Sequence, residues 1–171
     1  DSSPADVTFR ISSLEPMDCT AEIVALVSAS GGRFAPHFHL PLQHASDRML
    51  GLMRRLYTFG YYRALVDAIV DRLPHASIGT DMLVGFPGET DEDCRANLDY
   101  LPAAPLSHVH VFPYSDRPGT AATAMSGKVP GAVLRERGAR LRAIGAERAG
   151  NPDRPEIELA GLHDHLLARF L

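Results

Sequence analysis

The segment "SIGTDMLVGF", residues 77–86, constrains the fold of this chain more than any other. It is apolar almost throughout, as expected of a strand in a parallel sheet whose two faces are both covered. The segment runs into the turn "GFPGET" and then into Thr90, with Asp93 three residues further on, which is close to a capping box. The sequence therefore predicts a buried strand that turns sharply into a capped helix.

Three other segments rich in β-branched and aromatic residues are also followed by helical patterns. The four predicted strands are residues 7–13, 36–42, 77–86 and 107–115. The predicted helix starts are Asp18 or Thr20, Ser46, Thr58 and Thr90, all of them favoured N-caps. Parallel strands joined through helices require right-handed crossovers, so the predicted fold class is α/β, with about four parallel strands each followed by a helix. Such a sheet has an exposed edge that needs a partner.

A basic helix is predicted from about residue 133 to 148, followed by a Pro-rich break and a short amphipathic stretch. We expect two units, 1–128 and 129–171, the second being a C-terminal helical extension. The arginines of the helix are Arg135, Arg137, Arg140, Arg142 and Arg148. They could face RNA, but a solvated helix is the simpler interpretation for a chain of formal net charge −4.

Charge and hydropathy exclude some classes of function. A net charge of −4 gives no general attraction to nucleic acid or to an anionic membrane, so any RNA contact has to be local. No apolar run approaches the ~20 residues that a membrane-spanning helix needs, and the N-terminal residues lack the pattern of a signal peptide. We expect a cytoplasmic protein with no membrane partner.

Polar residues follow the predicted strands, at the sheet edge where α/β proteins bind ligands. The turn at residues 85–90 is either a ligand platform or an ordinary turn that Glu89 caps, and its spacing does not decide between them. Gln43 and Ser46 could hold a carboxylate or a ribose, although Ser46 also caps its helix. Arg117 could clamp a carboxylate or phosphate, although a solvated turn is the simpler interpretation.

Histidines and cysteines give no metal prediction. Two of the three His-x-His pairs lie in predicted strands, where residues two apart share a face, but no third ligand is evident. The pairs are His37 and His39, His108 and His110, and His163 and His165. Cys19 and Cys94 lie far apart and are expected to be packed thiols.

Four motifs, in this order and spacing, resemble the radical S-adenosylmethionine methylthiotransferases. They are "RISSLEP", "HFHLPLQHASDRMLGLMRRLYT", "IGTDMLVGFPGETDEDC" and "HVHVFPYSDRPGTAATAM". The resemblance runs from about residue 7 to 125, and implies the carboxyl-terminal half of a partial (β/α) barrel. The first and last motifs are most similar to the branch that methylthiolates N6-threonylcarbamoyladenosine beside the tRNA anticodon.

The resemblance also implies roles for particular residues. Leu83, Val84 and Gly85 would support the adenine of S-adenosylmethionine. Gln43 and Ser46 would make polar contacts to it, and Glu15 and Arg117 would face the same cavity. Where the family usually has "QSGSD", this chain has "QHASD", and we expect His44 to narrow the site.

The family's reactive four-iron, four-sulfur cluster is held by a Cys-x-x-x-Cys-x-x-Cys loop, which this chain does not contain. We therefore expect the chain not to ligate the cluster, to have no catalytic acid, base or nucleophile of its own, and to be inactive alone. Its expected partners are tRNA in the intact enzyme and, at the open strand edge, the missing half of the barrel or a second chain. The alternatives are a stand-alone binding or scaffold domain, a methylthiotransferase acting on a ribosomal protein, and an unrelated α/β enzyme.

Overall fold

A computed structural model describes residues 7–149 of the chain. This range contains five α-helices and three strands, with a short 3-10 turn at Ala121–Ala124. The helices are α1 (Ala21–Ala29), α2 (Asp47–Leu52), α3 (Phe59–Arg72), α4 (Asp91–Tyr100) and α5 (Gly131–Ala149), and the strands are β1 (His37–His39), β2 (Ser77–Val84) and β3 (His108–Pro113). No helix in this range is long and apolar enough to cross a membrane.

The sheet is parallel, in the order β1-β2-β3, and the predicted α/β class is confirmed. Its central strand β2 is buried along almost its whole length, as its apolar sequence predicts. The register pairs His39 with Gly79 on one side of β2 and Leu83 with Phe112 on the other. The carboxyl ends of β2 and β3 therefore lie side by side.

The described sheet has three strands, not about four. The first predicted strand forms one parallel bridge, between Phe9 and Phe34. Phe9 exchanges two backbone hydrogen bonds with the segment before β1, and five residues further on the Leu14 N–H donates to His39 O at 3.0 Å. Because β1 has only three residues, residues 7–13 run beside it without a continuous series of backbone hydrogen bonds.

The second predicted strand is interrupted as well. Beyond His39 the hydroxyl of Thr80 donates to Leu40 O at 2.9 Å and accepts the Leu42 N–H at 3.0 Å, which satisfies the backbone where the strand leaves the sheet. Pairing resumes at Gln43, which forms a single bridge with Met82. Gln43 has a φ of 67°, in the left-handed region, and this returns the chain towards the end of β2.

The main core lies between the sheet and the helices. Side chains on alternate positions of a strand share a face, and Ile78, Met82 and Val84 of β2 belong to one large buried cluster with residues of α1, α3 and α5. Leu83 belongs to a smaller cluster with Met49 and Phe86, at the carboxyl ends of the strands.

Three predicted N-caps make the expected hydrogen bonds. Ser46, Thr58 and Thr90 each accept the backbone N–H of the residue three positions further on, and Thr90 with Asp93 forms a complete capping box. Thr20 begins α1 without a side-chain cap bond. Helix α5 begins two residues earlier than expected and packs along β3 and against α4. The boundary after residue 128 remains a prediction, and the predicted amphipathic stretch after residue 150 lies outside the described residues.

Candidate functional site

A cleft of about 600 Å³ opens at the carboxyl ends of β2 and β3. Leu83, Phe86, Tyr114 and Met125 form its apolar surface, and all of them belong to the smaller core cluster or pack against it. Its other lining residues are Gly51, Leu52, Met53, Arg54, Arg55, Ser115, Arg117, Thr120, Ala121 and Ala122. An apolar floor beside a few polar and charged groups is the usual form of a small-molecule site.

The turn at residues 85–89 supports one wall of this cleft. Gly85 has a φ of 78°, and a Cβ built on it would lie 2.4 Å from the Cδ1 of Leu134 in α5. The Gly85 N–H donates to the Glu89 Oε2 at 2.6 Å. Glycine is therefore required by the backbone conformation as well as by the close approach of α5.

Two arginines from different helices hold the turn. Arg137 of α5 donates to the Glu89 Oε1 at 2.7 Å and to its backbone oxygen at 3.3 Å. Arg48 of α2 donates to Gly88 O at 2.7 Å and also contacts Asp93. The Gly88 N–H donates to Gly127 O at 2.8 Å. With these groups committed to protein contacts, Glu89 acts as a structural cap, and the turn presents the side chains of Leu83 and Phe86 to the cleft.

Asp93 is the second anchor of this region. Burial alone would raise its pKa, but hydrogen bonds from Arg48, Thr90 and Ser46 outweigh this, so its pKa lies well below the ordinary range. The Ser46 hydroxyl donates to Asp93 at 2.7 Å while it caps α2. Ser46 and Asp93 thereby tie the starts of α2 and α4 together.

Arg137 neither faces RNA nor lies on a solvated surface, which were the two interpretations of the basic helix. Its side chain is buried and ion-paired with Glu89, which is itself fully buried, so it faces neither RNA nor solvent. Arg135, Arg140 and Arg142 are exposed. The side chain of Arg148 lies outside the described part of the chain.

The expectation that His44 narrows the site is wrong. Its side chain is fully buried, away from the residues that line the cleft. Its Nδ1 accepts the Ser46 N–H at 3.0 Å, and its Nε2 lies 3.0 Å from the Asn97 amide nitrogen and 3.8 Å from the Glu89 Oε2. Asn97 in turn accepts the Ala45 N–H at 2.7 Å. His44 is therefore a core residue that joins the segment between β1 and α2 to α4.

Only some of the residues predicted to bind a cofactor line the cleft. Leu83 and Arg117 line the cleft. Val84 points to the opposite face of the sheet and is buried in the main core. Gly85 and Ser46 shape the backbone around the cleft, as described above.

Glu15 and Gln43 lie beside the cleft. Glu15 accepts a hydrogen bond of 2.9 Å from Arg55, which does line it. The backbone of Gln43 accepts from the Leu83 N–H at 2.9 Å and donates to Asp81 O at 2.8 Å. These contacts place Gln43 next to the strand end that forms the cleft floor.

Sequence reasoning did not identify Arg54, Phe86, Tyr114 or Met125 as lining residues. Phe86 lies in the turn after β2, whose interpretation from sequence rested on its glycines and on Glu89. Tyr114 and Met125 come from the segments on either side of the 3-10 turn, whose folding over the cleft depends on long-range contacts. The Lys128 ammonium contacts Asp116 and lies 5.1 Å from the centre of the Tyr114 ring, which fastens this wall.

The histidine pairs of the strands meet on the sheet face opposite the helices. His39 lies 3.1 Å from Asp81 and stacks on His110, with ring centroids 5.9 Å apart. Burial, followed by the nearby charge of Arg10 and the other histidines, lowers the pKa of His37 to about 4. No group of three or more His, Cys, Asp and Glu residues in the described range is arranged to hold a metal ion. His163 and His165 lie outside that range.

Both cysteines are buried and free, as expected for packed thiols. Burial raises the pKa of Cys19 to about 11 and also raises the pKa of Cys94, so both are protonated at neutral pH. A thiolate is what an iron–sulfur cluster requires. These two cysteines do not fit the ligand set of such a cluster.

Comparison with known proteins identifies relatives over most of the chain. Threonylcarbamoyladenosine tRNA methylthiotransferase MtaB of Aquifex aeolicus is 43% identical over 129 residues, 75% of this chain and 31% of the relative. The tRNA-2-methylthio-N(6)-dimethylallyladenosine synthase of Mycolicibacterium gilvum is 40% identical over 148 residues, 86% of this chain and 29% of the relative. That of Corynebacterium urealyticum is 41% identical over 149 residues, 87% of this chain and 27% of the relative. The chain thus spans less than a third of the length of these relatives. No family model matches it.

A solved structure resembles the fold. The archaeal Methanocaldococcus infernus Elp3, with residues 1–46 deleted, aligns with a TM-score of 0.60 and covers 81% of this chain and 32% of its own. The sequence identity is 14%, so this similarity concerns the fold alone.

Proposed function

The chain belongs to the radical S-adenosylmethionine methylthiotransferase family, and from this premise we propose that it forms the carboxyl-terminal half of the barrel of a tRNA-modifying enzyme. The enzyme would methylthiolate N6-threonylcarbamoyladenosine next to the anticodon, in the cytoplasm, where its tRNA substrate is found. The observation that carries this proposal is the cleft, because its apolar floor and arginine lie where α/β folds bind ligands.

The described residues fit S-adenosylmethionine. Leu83 and Phe86 offer an apolar surface of a kind that suits a purine, and Arg117 offers a guanidinium for a carboxylate. Gln43 would contribute a polar contact, and its left-handed φ supports this role, because strained backbone concentrates at functional sites. Glu15 would act through Arg55, and Ser46, Val84 and Gly85 would hold the surrounding backbone in place. When bound, the cofactor supplies the radical chemistry, and this chain supplies binding and orientation.

The iron–sulfur cluster is a different case, because the two protonated, buried cysteines do not suit it. We propose that its ligands come from another part of the intact enzyme, and that the chain alone is inactive. The outer edge of the segment around Phe9, with Val7 and Phe9 both 39% exposed, is where the other half of the barrel or a second chain would join.

A second candidate substrate is N6-dimethylallyladenosine. Seven relatives of this chain, at 40% to 42% identity, carry that nucleoside in their names. The two substituents differ in chemistry, since threonylcarbamoyl bears a carboxylate and dimethylallyl is a hydrocarbon. The polar rim of the cleft favours the first.

The test is calorimetric titration of the chain with S-adenosylmethionine. We expect micromolar to millimolar binding that Arg117→Ala weakens about tenfold, the usual worth of a charge-assisted hydrogen bond. Arg95→Ala, an exposed arginine of α4 outside the cleft, is the matched control and should bind like the wild type. A folded chain that does not bind the cofactor, or that loses binding equally in both variants, refutes the proposed site.

A further inference from the structure

Arg54 occupies a position that normally belongs to glycine. Helix α2 ends in a Schellman motif, in which the Arg55 N–H donates to Leu50 O at 2.9 Å and the Arg54 N–H donates to Gly51 O at 3.0 Å. The residue after the C-cap of this motif is usually glycine, because it adopts a left-handed conformation. Here it is Arg54, with a φ of 56°. Stability alone would favour glycine at this position.

The strained residue lines the cleft. Only Gln43 and Arg54 have a positive φ among the non-glycine residues described, and Arg54 is one of the residues that surround the cleft. Non-glycine residues in such conformations cluster at ligand sites, where the side chain is needed. The left-handed turn brings Arg54 to the same rim as Arg117.

The two guanidiniums at this rim are not neutralised within residues 7–149. Arg55 is paired with Glu15, but Arg54 and Arg117 make no side-chain hydrogen bond or ion pair there. No acidic residue of the described range lines the cleft. The cleft therefore carries positive charge above an apolar floor, which suits a flat ring with an anionic group attached.

We propose that Arg54 binds the carboxylate of the substrate's N6 substituent and so selects threonylcarbamoyladenosine over dimethylallyladenosine. This rests on the proposed function, in which Arg117 serves the cofactor. A guanidinium matches a carboxylate with two parallel hydrogen bonds, whereas a hydrocarbon substituent gains nothing from it. The specificity of the site then comes from the Arg54 side chain, whose left-handed backbone conformation lowers the stability of the fold.

The test uses the full chain and three probes: the nucleosides N6-threonylcarbamoyladenosine and N6-dimethylallyladenosine, and adenosine 5′-monophosphate. We expect the first to bind about tenfold more tightly than the second, as measured by calorimetry or NMR titration. Arg54→Gly and Arg54→Ala should both abolish this difference. Arg95→Ala should keep it.

A thermal melt separates binding from a structural role. Arg54→Gly removes the backbone strain, so its Tm should rise by about 2–4 °C while the nucleoside preference is lost. Arg54→Ala keeps the strain, so its Tm should stay near that of the wild type. A fall in Tm for Arg54→Gly would show that the arginine serves the fold, and would overturn the proposal.

Other outcomes are also decisive. Equal binding of the two nucleosides, or binding of neither, overturns the proposal. If the Arg54 variants weaken binding of the monophosphate but not of the threonylcarbamoyl nucleoside, Arg54 contacts a phosphate and the carboxylate assignment is wrong. S-adenosylmethionine is titrated in the same series: cofactor binding without nucleoside preference contradicts only this inference, and preference without cofactor binding contradicts only the proposed function.

Discussion

Removing Arg137 should destabilise the chain far more than removing its neighbours on α5. The Arg137 Nη1 lies 2.7 Å from the Glu89 Oε1, and the two side chains are only 9% and 0% exposed. Truncating one partner of a buried ion pair leaves the other uncompensated, at a cost of about 3–5 kcal/mol. Arg137→Met leaves the Glu89 carboxylate with the Gly85 N–H as its remaining close donor. For a chain of this size, the loss corresponds to a fall in Tm of roughly 10 °C.

The assay is urea unfolding followed by circular dichroism, with Arg140→Met as the control. Arg140 is exposed on the same helix, so its substitution should change the free energy of unfolding by no more than about 0.5 kcal/mol. The double variant with Glu89→Leu should be less destabilised than the sum of the two single variants, because no unpaired charge remains buried. If Arg137→Met and Arg140→Met unfold at the same urea concentration, the ion pair does not hold the turn and the reasoning fails.

Three further changes test other parts of the structure. Gly85→Ala should cost at least about 2 kcal/mol in urea unfolding, because its φ is 78° and the new Cβ would meet Leu134; a cost below 0.5 kcal/mol would contradict the close packing. The pKa of His37 is lowered to about 4 in the folded chain, so the unfolded chain takes up a proton at this histidine at higher pH than the folded chain does. The free energy of unfolding should therefore fall as the pH drops from about 6.5 to 4. His37→Gln should flatten this dependence, and an unchanged profile would exclude His37 as its source. Ser46→Ala removes a helix cap and a hydrogen bond to Asp93, so it should lower the free energy of unfolding by about 1–2 kcal/mol, and a neutral result would contradict the capping role.

The order of the elements follows from local sequence patterns, which is why it could be predicted. The apolar run of β2, the capping box at Thr90 and the serine cap of α2 all depend on residues close together in the chain. Local sequence did not reveal that the segment around Phe9 forms one bridge and no continuous strand ladder. Its ladder depends on the length of β1, and composition does not reveal how far two distant segments stay aligned.

The candidate site was only partly predictable, for a related reason. Leu83 and Arg117 belong to motifs whose position after a strand indicates a site. The partner of Glu89, by contrast, is Arg137, 48 positions later, and an arginine in a basic helix looks like a surface residue until its burial is known. The left-handed conformations of Gln43 and Arg54 leave no trace in residue type, since glycine is the residue that signals them.

These contacts divide the region around the cleft into a fixed part and an open part. Arg48 and Arg137 form hydrogen bonds and ion pairs with Gly88, Glu89 and Asp93. These contacts hold the turn behind the cleft, and they occupy the guanidiniums that could otherwise bind a ligand. The guanidiniums of Arg54 and Arg117 have no such partner in the described residues, whereas Arg55 is paired with Glu15. Arg54 is exposed, so its lack of an ion pair is ordinary for a surface arginine, and what sets it apart is its left-handed backbone beside the cleft. Under the proposed carboxylate-binding role, the Arg54→Gly variant should gain stability where it loses binding, and the thermal melt and the nucleoside titration together measure both changes.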